Sequence, residues 1–211
     1  MARSASGKPA AAADDERTPR KWATTPATRR RILSAALSCF DTNGVSGTTI
    51  DDICTAAELS VGSIYHHFSG KDDIFETLVH EATAEYRTGI VDALQGGKKL
   101  EQSIRQMVHF HVQWAETRPM LTRLMLRWEE GERDRPSGRD HYREYSESIG
   151  AWLRRQAQAG SIRRMEPDLY AALFMGPLME HARERSAGLT TSTADALEAG
   201  LVDGLLRVLG P

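Results

Sequence analysis

The feature that most constrains this chain is a pair of short helical patterns joined by a tight turn, in the segment TTIDDICTAAELSVGSIYHHF that runs from Thr48 to Phe68. The first pattern places four apolar residues on one helix face, at spacing i, i+3, i+4 and i+7: Ile50, Ile53, Cys54 and Ala57. The second repeats this spacing and predicts a second buried face: Val61, Ile64, Tyr65 and Phe68. Helices of about two turns are marginal alone, so these two must be stabilised by one another and by a larger core.

Capping residues mark where both short helices begin. Thr49 is a predicted N-cap, with Asp52 at the third helical position, where a carboxylate also suits the helix dipole. Ser60 is the predicted N-cap of the second helix. Glu58 and Leu59 separate the two patterns and form the turn.

Small and polar residues occupy the other side of the second helix at 100° per residue: Gly62, Ser63, His66 and His67. Glycine permits close backbone approach, and Ser or His can meet base edges or phosphates in the major groove of DNA. Residues 49–68 therefore predict a helix-turn-helix. The alternative is a pair of linker helices whose surface is incidentally polar.

Apolar spacing of three to four residues predicts helices along most of the remaining chain, and no run of alternating β-branched residues indicates a strand. We therefore expect an all-α fold of about nine helices. Beside the two short helices, the predicted ranges are 28–43, 71–93, 100–118, 119–130, 142–158, 167–185 and 193–209.

Charge excludes bulk attraction to nucleic acid. The 211 residues carry a net charge of −2, and residues 1–73 hold nine Lys or Arg against nine Asp or Glu, so DNA binding must use a few positioned contacts. Residues 1–25 lack apolar periodicity and predict a disordered arm. A solvated tail is favoured there over an arm that contacts DNA.

The sequence lacks the motifs of metal-binding, redox and catalytic sites. Cys39 and Cys54 match no zinc or redox spacing and suggest small core residues in a reducing cytoplasm. The adjacent His66 and His67 diverge around a helix, as do His109 and His111, so we expect no metal. Neither a catalytic triad nor a phosphate-binding glycine loop is present, so we expect no enzyme and no cofactor. The sequence also lacks a signal peptide and an apolar run long enough to span a membrane.

The region from about Pro26 to Tyr86 resembles the N-terminal domain of the TetR (tetracycline-repressor-like) family of bacterial transcription regulators. The resemblance rests on RRRILSAALSCFDTNGVSGTTI followed by DDICTAAELSVGSIYHHFSGKDDIF. It implies a DNA-binding domain at residues 26–86 and a C-terminal effector-binding and dimerisation domain at 87–211. One residue departs from the family pattern, because Glu58 stands where the family usually has glycine, and a left-handed backbone there would be strained.

The resemblance also implies roles for individual residues. Thr49 and Lys71 would bind phosphates, Tyr65 and His67 would hold the DNA backbone, and His66 occupies the variable position that could read bases. With the outward-facing residues and the second cap, the predicted DNA-binding set is Thr49, Ser60, Gly62, Ser63, Tyr65, His66, His67 and Lys71.

Methionine and aromatic residues are abundant in the predicted C-terminal domain. Such a stripe is more often plain core than a binding site. Taken with the resemblance, part of the group is expected to line a cavity for a medium-sized, largely apolar effector, with His111 and the segment from Trp128 to Glu130 as polar contacts. The predicted pocket residues are Met107, Phe110, His111, Trp114, Met125, Trp128 and Tyr145.

The last two predicted helices are apolar on more than one side, which favours pairing with a second subunit over a larger intramolecular core. The predicted interface residues are Leu169, Leu173, Leu201 and Leu205. The resulting hypothesis is a cytoplasmic homodimer that binds a palindromic operator as a repressor and is released by its effector. A ligand-independent DNA-binding protein and a transcriptional activator remain alternatives, and the sequence names neither operator, effector nor regulated genes.

Overall fold

The computed structural model describes residues 26–132 and 136–210, without the side chains of residues 129–146, 168 and 171. All the regular secondary structure in this part of the chain is helical, so the predicted all-α class is confirmed. The predicted N-terminal arm, residues 1–25, lies outside the described residues. The first five helices are α1 (Pro26–Gly47), α2 (Ile50–Ala57), α3 (Val61–His67), α4 (Lys71–Gly96) and α5 (Leu100–Thr117).

Four more helices complete the described chain: α6 (Pro119–Glu132), α7 (Pro136–Gln158), α8 (Pro167–Tyr170, a π-helical turn at Ala171–Met175, then Gly176–Ser186) and α9 (Ala194–Leu209). We count the three segments of α8 as one helix because the backbone stays right-handed helical where they join, at Tyr170, Met175 and Gly176. The π turn precedes Pro177, which has no N–H for the next helical hydrogen bond and so disturbs the ladder.

Two helix boundaries differ most from the predicted ones. Gly44 adopts φ 72 and ψ 164, which breaks the helical geometry where the sequence predicted a stop, but α1 resumes and ends at Gly47. The helix predicted to begin at Tyr142 begins at Pro136 instead. Polar and charged residues of this segment carry little apolar periodicity, so the sequence pattern starts later than the helix.

An N-terminal core joins the first four helices. Its buried residues are Ile32, Leu33, Ala36, Phe40, Ile53, Cys54, Ile64, Phe68, Ile74, Leu78, Val79, Leu124 and Trp128. The last two come from α6, so a helix of the C-terminal half completes this core by packing against α1 and α4. A bidentate ion pair reinforces this contact, since the Arg123 guanidinium donates to both carboxylate oxygens of Asp41 at 2.7 and 2.6 Å and lowers the pKa of that carboxyl.

A second core, the body core, lies among the second half of α4 and helices α5–α9. Its buried residues include Tyr86, Ile90, Met107, Val112, Trp114, Met125, Trp152, Phe174, Leu178 and Leu205. Helix α4 contributes Leu78 and Val79 to the N-terminal core and Ala82 and Ile90 to the body core. Helix α4 therefore connects the two cores, and α6 does so too, with Leu124 in the N-terminal core and Met125 in the body core. In the described part of the chain, none of the helices combines the length and apolar character needed to cross a membrane.

Candidate nucleic-acid interface

Thr49 caps α2 in the way that the sequence predicts. Its hydroxyl oxygen accepts a hydrogen bond from the Asp52 N–H at 3.1 Å, and its own N–H donates to the Asp52 carboxylate at 2.8 Å. The Thr49 hydroxyl also donates to that carboxylate at 2.7 Å, and these bonds lower the pKa of Asp52. The hydroxyl is thus committed to Asp52, so a phosphate at this helix start would have to compete for it.

The turn between α2 and α3 is built without glycine. Glu58 has φ 50 and ψ 47 and is the one non-glycine residue with positive φ among the described residues. A left-handed backbone costs about 1–2 kcal/mol for a residue with a side chain. Arg31 offsets part of this strain, because its guanidinium donates to the Glu58 carbonyl at 3.2 Å and to the Glu58 carboxylate at 3.1 Å.

Helix α3 is capped at Ser60, whose hydroxyl oxygen accepts from the Ser63 N–H at 3.3 Å. Its back is fixed by Ile64, which is fully buried, and by Phe68, which is 4% exposed. The Arg29 guanidinium lies 5.5 Å from the centre of the Phe68 ring and joins the start of α1 to the end of α3. The sequence patterns predicted neither the Arg29 contact nor the Arg31 contact.

Val61 and Tyr65 are corrections to the predicted buried face. Their exposed fractions are 42% and 55%. Tyr65 lies 100° around the helix from Ile64, and Val61 lies one turn before Tyr65 on the same side, so α1 and α2 cover neither. The sequence spacing grouped all four apolar residues on one face, but a seven-residue helix buries only a narrow stripe.

The exposed side of α3, which we call the recognition face, consists of Val61, Gly62, Tyr65 and His66. Ser63 and His67 lie beside it and are half-buried. A Cβ added at Gly62 would meet no protein atom within 4 Å, so the missing side chain leaves open space in front of the helix. The recognition face combines apolar, small and polar residues, and no other part of the described chain covers it.

Lys71, predicted to bind a phosphate, has a clear structural partner. Its ammonium group donates to the carbonyls of Val45, Ser46 and Thr48, at 2.9, 3.3 and 2.8 Å. These carbonyls end α1 and lead into α2, so Lys71 fixes the start of α4 against the helix-turn-helix. The sequence held no local signal for this contact, since the residues are more than twenty positions apart.

The predicted pocket residues divide between the two cores. Met107, Trp114 and Met125 are buried in the body core, Phe110 packs against it, and His111 is also buried. Trp128 is a correction, because it lies in the N-terminal core with its ring edge-on to His80 at 5.9 Å between centroids. The sequence showed the apolar face of α6 but not which core that face meets. The side chains of Glu129, Glu130 and Tyr145 lie outside the described residues.

A chain of buried hydrogen bonds crosses the body core. The Tyr86 hydroxyl lies 2.8 Å from His111 Nδ1, and His111 Nε2 lies 3.0 Å from His181 Nδ1. Burial, and then the neighbouring His181, lower the pKa of His111 to about 3, and burial also lowers the pKa of His181, so both rings are neutral near pH 7. His181 Nε2 is buried and has no hydrogen-bond partner among the described residues. Neither Tyr86 nor His181 was predicted as a site residue.

The predicted dimer residues also divide. Leu169 and Leu173 on α8 are 50% and 38% exposed, and Leu201 on α9 is half-buried. Leu205 is a correction, since it is 2% exposed and packs in the body core of its own chain. Helix α9 turns this side toward α5, a contact that an apolar strip cannot distinguish from a subunit interface.

Thiol and metal chemistry find little support in the geometry. Burial raises the pKa of the Cys39 and Cys54 thiols, which disfavours the reactive thiolate. Among the side chains that the structure describes, no three His, Cys, Asp or Glu residues are grouped to hold a metal ion.

Comparison with known proteins places this geometry in context. The model of the bacterial regulatory proteins of the tetR family matches residues 32–78, which span α1–α3 and the first part of α4. The HTH-type transcriptional repressor AcnR of Corynebacterium diphtheriae is 31% identical over 135 residues, covering 64% of this chain and 68% of AcnR. The HTH-type transcriptional regulator UidR of Escherichia coli K12 is 21% identical over 183 residues, covering 87% of this chain and 91% of UidR.

Solved structures share the whole architecture. The fatty acid degradation regulator FadR from Bacillus halodurans superimposes with a TM-score of 0.74, covering 86% of this chain and 96% of FadR, at 19% sequence identity. At this identity the likeness shows a common fold, in which α1–α3 and the body occur together, and says nothing about a shared ligand.

Proposed function

The chain belongs to the TetR family of bacterial regulatory proteins, which are DNA-binding transcriptional regulators, and on that premise we propose that it is a repressor released from its operator by a small, largely apolar molecule. The role that follows is binding and response, without catalysis. AcnR and UidR are transcriptional regulators by name, and FadR is named as a regulator of fatty acid degradation.

The observation that carries the proposal is the two-sided construction of α3. Ile64 and Phe68 anchor its back in the N-terminal core, while Gly62 and His66 stand open to solvent. A helix that enters the major groove needs this arrangement, because its N-terminal residues must reach base edges without losing their support. We propose that His66 and Ser63 contact bases and that Gly62 allows close approach of the helix backbone.

The phosphate contacts are proposed around this helix. Tyr65 and His67 flank the base-reading residues on α3, and Thr49 lies at the start of α2, where the helix dipole favours an anion. Lys71 acts mainly by holding the end of α1 to α4, and its positive charge adds a long-range attraction to DNA.

Homodimerisation is proposed through α8 and α9. Leu169 and Leu173 lie one turn apart and are both exposed, so they form an apolar strip on the outside of the body. A two-fold pairing of this strip would present two copies of α3 to successive major grooves, about one helical turn of DNA apart or a multiple of it.

Effector coupling is proposed through the buried chain Tyr86, His111 and His181. It connects α4, α5 and α8, and α4 continues without interruption to Lys71 beside the helix-turn-helix. Whichever way its hydrogens are arranged, this series of hydrogen bonds ends at His181 Nε2, a donor or acceptor that has no partner among the described residues. A ligand that satisfies this atom in only one arrangement of the body would favour that arrangement and shift the separation of the two α3 helices.

A selection experiment tests the proposed function. Purified protein is mixed with random duplex DNA, the bound fraction is amplified and sequenced, and the cycle is repeated. We expect an enriched palindrome whose half-sites are about 10 base pairs apart, or a multiple of that. The double variant S63A/H66A, which changes no residue of the N-terminal core, is the matched control and should enrich nothing. Absence of enrichment with the wild-type protein would contradict the proposal.

A further inference from the structure

Val61 is the residue of the recognition face that the proposed function leaves without a role. It is the first residue of α3 and is 42% exposed, although its side chain is entirely apolar. It is absent from the N-terminal core, whose nearest members on α3 and beyond are Ile64 and Phe68.

The local fold does not need a valine at this position. The cap of α3 is made by Ser60, and the apolar residue before the cap, Leu59, packs against the N-terminal core. A β-branched residue is also a weaker helix former than alanine. Neither capping, packing nor helix propensity therefore explains why an isopropyl group stands here.

The position of Val61 points to base readout. The N-terminal residues of a recognition helix lie deepest in the major groove, and Gly62 beside it leaves open space in which DNA can approach. A valine side chain forms no hydrogen bonds, so it can recognise only an apolar group. The major groove offers one such group on an unmodified base, the 5-methyl group of thymine.

We infer that Val61 contacts the 5-methyl group of a thymine in each half-site of the operator, and so adds to the specificity of the regulator. This inference rests on the proposed function, because it requires α3 to enter the major groove. Val61 would recognise an apolar group of the operator, whereas Ser63 and His66 would recognise polar groups.

The test uses the operator obtained by selection and replaces each thymine, at symmetric positions in both half-sites, with deoxyuridine. This change removes only the methyl group and keeps every base pair. For the wild-type protein we expect one symmetric pair whose replacement weakens binding about fourfold per half-site, or about fifteenfold for the dimer, since burial of one such carbon changes affinity by about that factor.

The variant V61A completes the comparison. It should bind the thymine operator about as weakly as the wild-type protein binds the deoxyuridine operator, and replacement of the same thymine pair should no longer matter. H66A serves as the matched control: it should bind more weakly overall and yet keep its sensitivity to that pair. The thermal midpoint of V61A should not fall, because the side chain lies outside the core.

Three results would overturn the inference: half-sites without thymine, no sensitive thymine pair for the wild-type protein, or equal sensitivity in wild type and V61A. The deoxyuridine scan of the wild-type protein can overturn it even if V61A is unstable, because that scan needs no variant. Failure of the proposed function is a different observation, since it would leave no enriched operator to scan.

Discussion

The two cores differ in whether their buried polar side chains have hydrogen-bond partners. In the N-terminal half, the buried Thr48 hydroxyl donates to the Gly44 carbonyl at 2.8 Å, and the rest of that core is apolar. In the described part of the chain, the buried side-chain polar atoms that lack a partner all lie beyond the first turns of α4: Thr83 Oγ1, Trp114 Nε1, His181 Nε2 and Thr190 Oγ1.

This difference has a physical meaning. An unpaired buried polar atom costs about 1–3 kcal/mol, so each of these atoms favours a state in which it gains a hydrogen-bond partner. Among the described side chains, none of these unpaired atoms belongs to the N-terminal core, in which Ile64 and Phe68 anchor α3. Under the proposed function, the apolar core supports the DNA-binding unit, and an effector that hydrogen-bonded to the unpaired atoms would stabilise the body.

The largest expected effect is on the N-terminal core. Phe40 is fully buried and meets Phe75 edge-on, with 5.9 Å between ring centroids. The substitution Phe40→Ala should lower the free energy of unfolding by about 3–5 kcal/mol, because the surrounding helices cannot close the cavity. Chemical denaturation monitored by circular dichroism measures this. Tyr65→Ala, on the exposed side of α3, is the control and should change stability by no more than about 0.5 kcal/mol.

The next effect tests the polar chain of the body core. The substitution His111→Leu should lower the free energy of unfolding by about 1–3 kcal/mol, because His181 Nδ1 loses its partner in a buried site. His109→Leu is the matched control on the same helix, since His109 is exposed and its contact with Glu198 lies at the surface. A loss as large for His109→Leu would contradict this interpretation of the chain.

The buried position of His111 also predicts that the stability of the protein depends on pH. The pKa of His111 falls from 6.5 in a model compound to about 3 in the folded protein, so the unfolded state binds a proton more readily. Wild-type stability should therefore decline as the pH falls from about 6.5 toward 3, and should be fully present above that window. Chemical denaturation at several pH values across this range gives the free energy of unfolding. As the pH falls, this free energy should decrease less for His111→Leu than for the wild type.

The smallest effect concerns the turn. Glu58→Gly should leave the protein more stable than Glu58→Ala by about 1 kcal/mol, because both lose the carboxylate contact with Arg31 but only glycine relaxes the left-handed backbone. Thermal denaturation of the two variants side by side isolates the strain. Equal stability would mean that the turn tolerates a side chain without strain.

The sequence predicted the helices and their caps well, because periodicity and capping are local. The spacing around Ile53 and Ile64 predicted α2 and α3, and the hydrogen bonds of Thr49 and Ser60 confirmed both caps. The all-α class followed from the same local patterns, whereas the family followed from the resemblance of residues 26–86 to known regulators.

What failed depends on contacts between distant parts of the chain. Apolar spacing says which side of a helix is apolar but not what covers it, so Trp128 and Leu205 were assigned to the wrong partners and Val61 to the core. His181 carries no local signal, since only the crossing of α8 over α5 brings it to His111. The predicted domain boundary near residue 86 and the DNA-contact roles remain predictions.

The placement of α3 in the major groove, with its backbone close to the bases, is tested most directly at Gly62. A Cβ meets nothing in the free protein, so Gly62→Ala should fold normally and gain about 0.5–1 kcal/mol of helix stability. Gly150→Ala on α7, where a Cβ approaches only the Arg154 guanidinium at 3.3 Å, is the matched control.

The measurement is fluorescence anisotropy of the selected operator titrated with each protein. We expect Gly62→Ala to weaken operator binding at least tenfold, roughly 1.4 kcal/mol, while Gly150→Ala binds as the wild type does. Wild-type affinity in a well-folded Gly62→Ala variant would show that no DNA approaches this helix closely, and would contradict the placement of α3 in the groove.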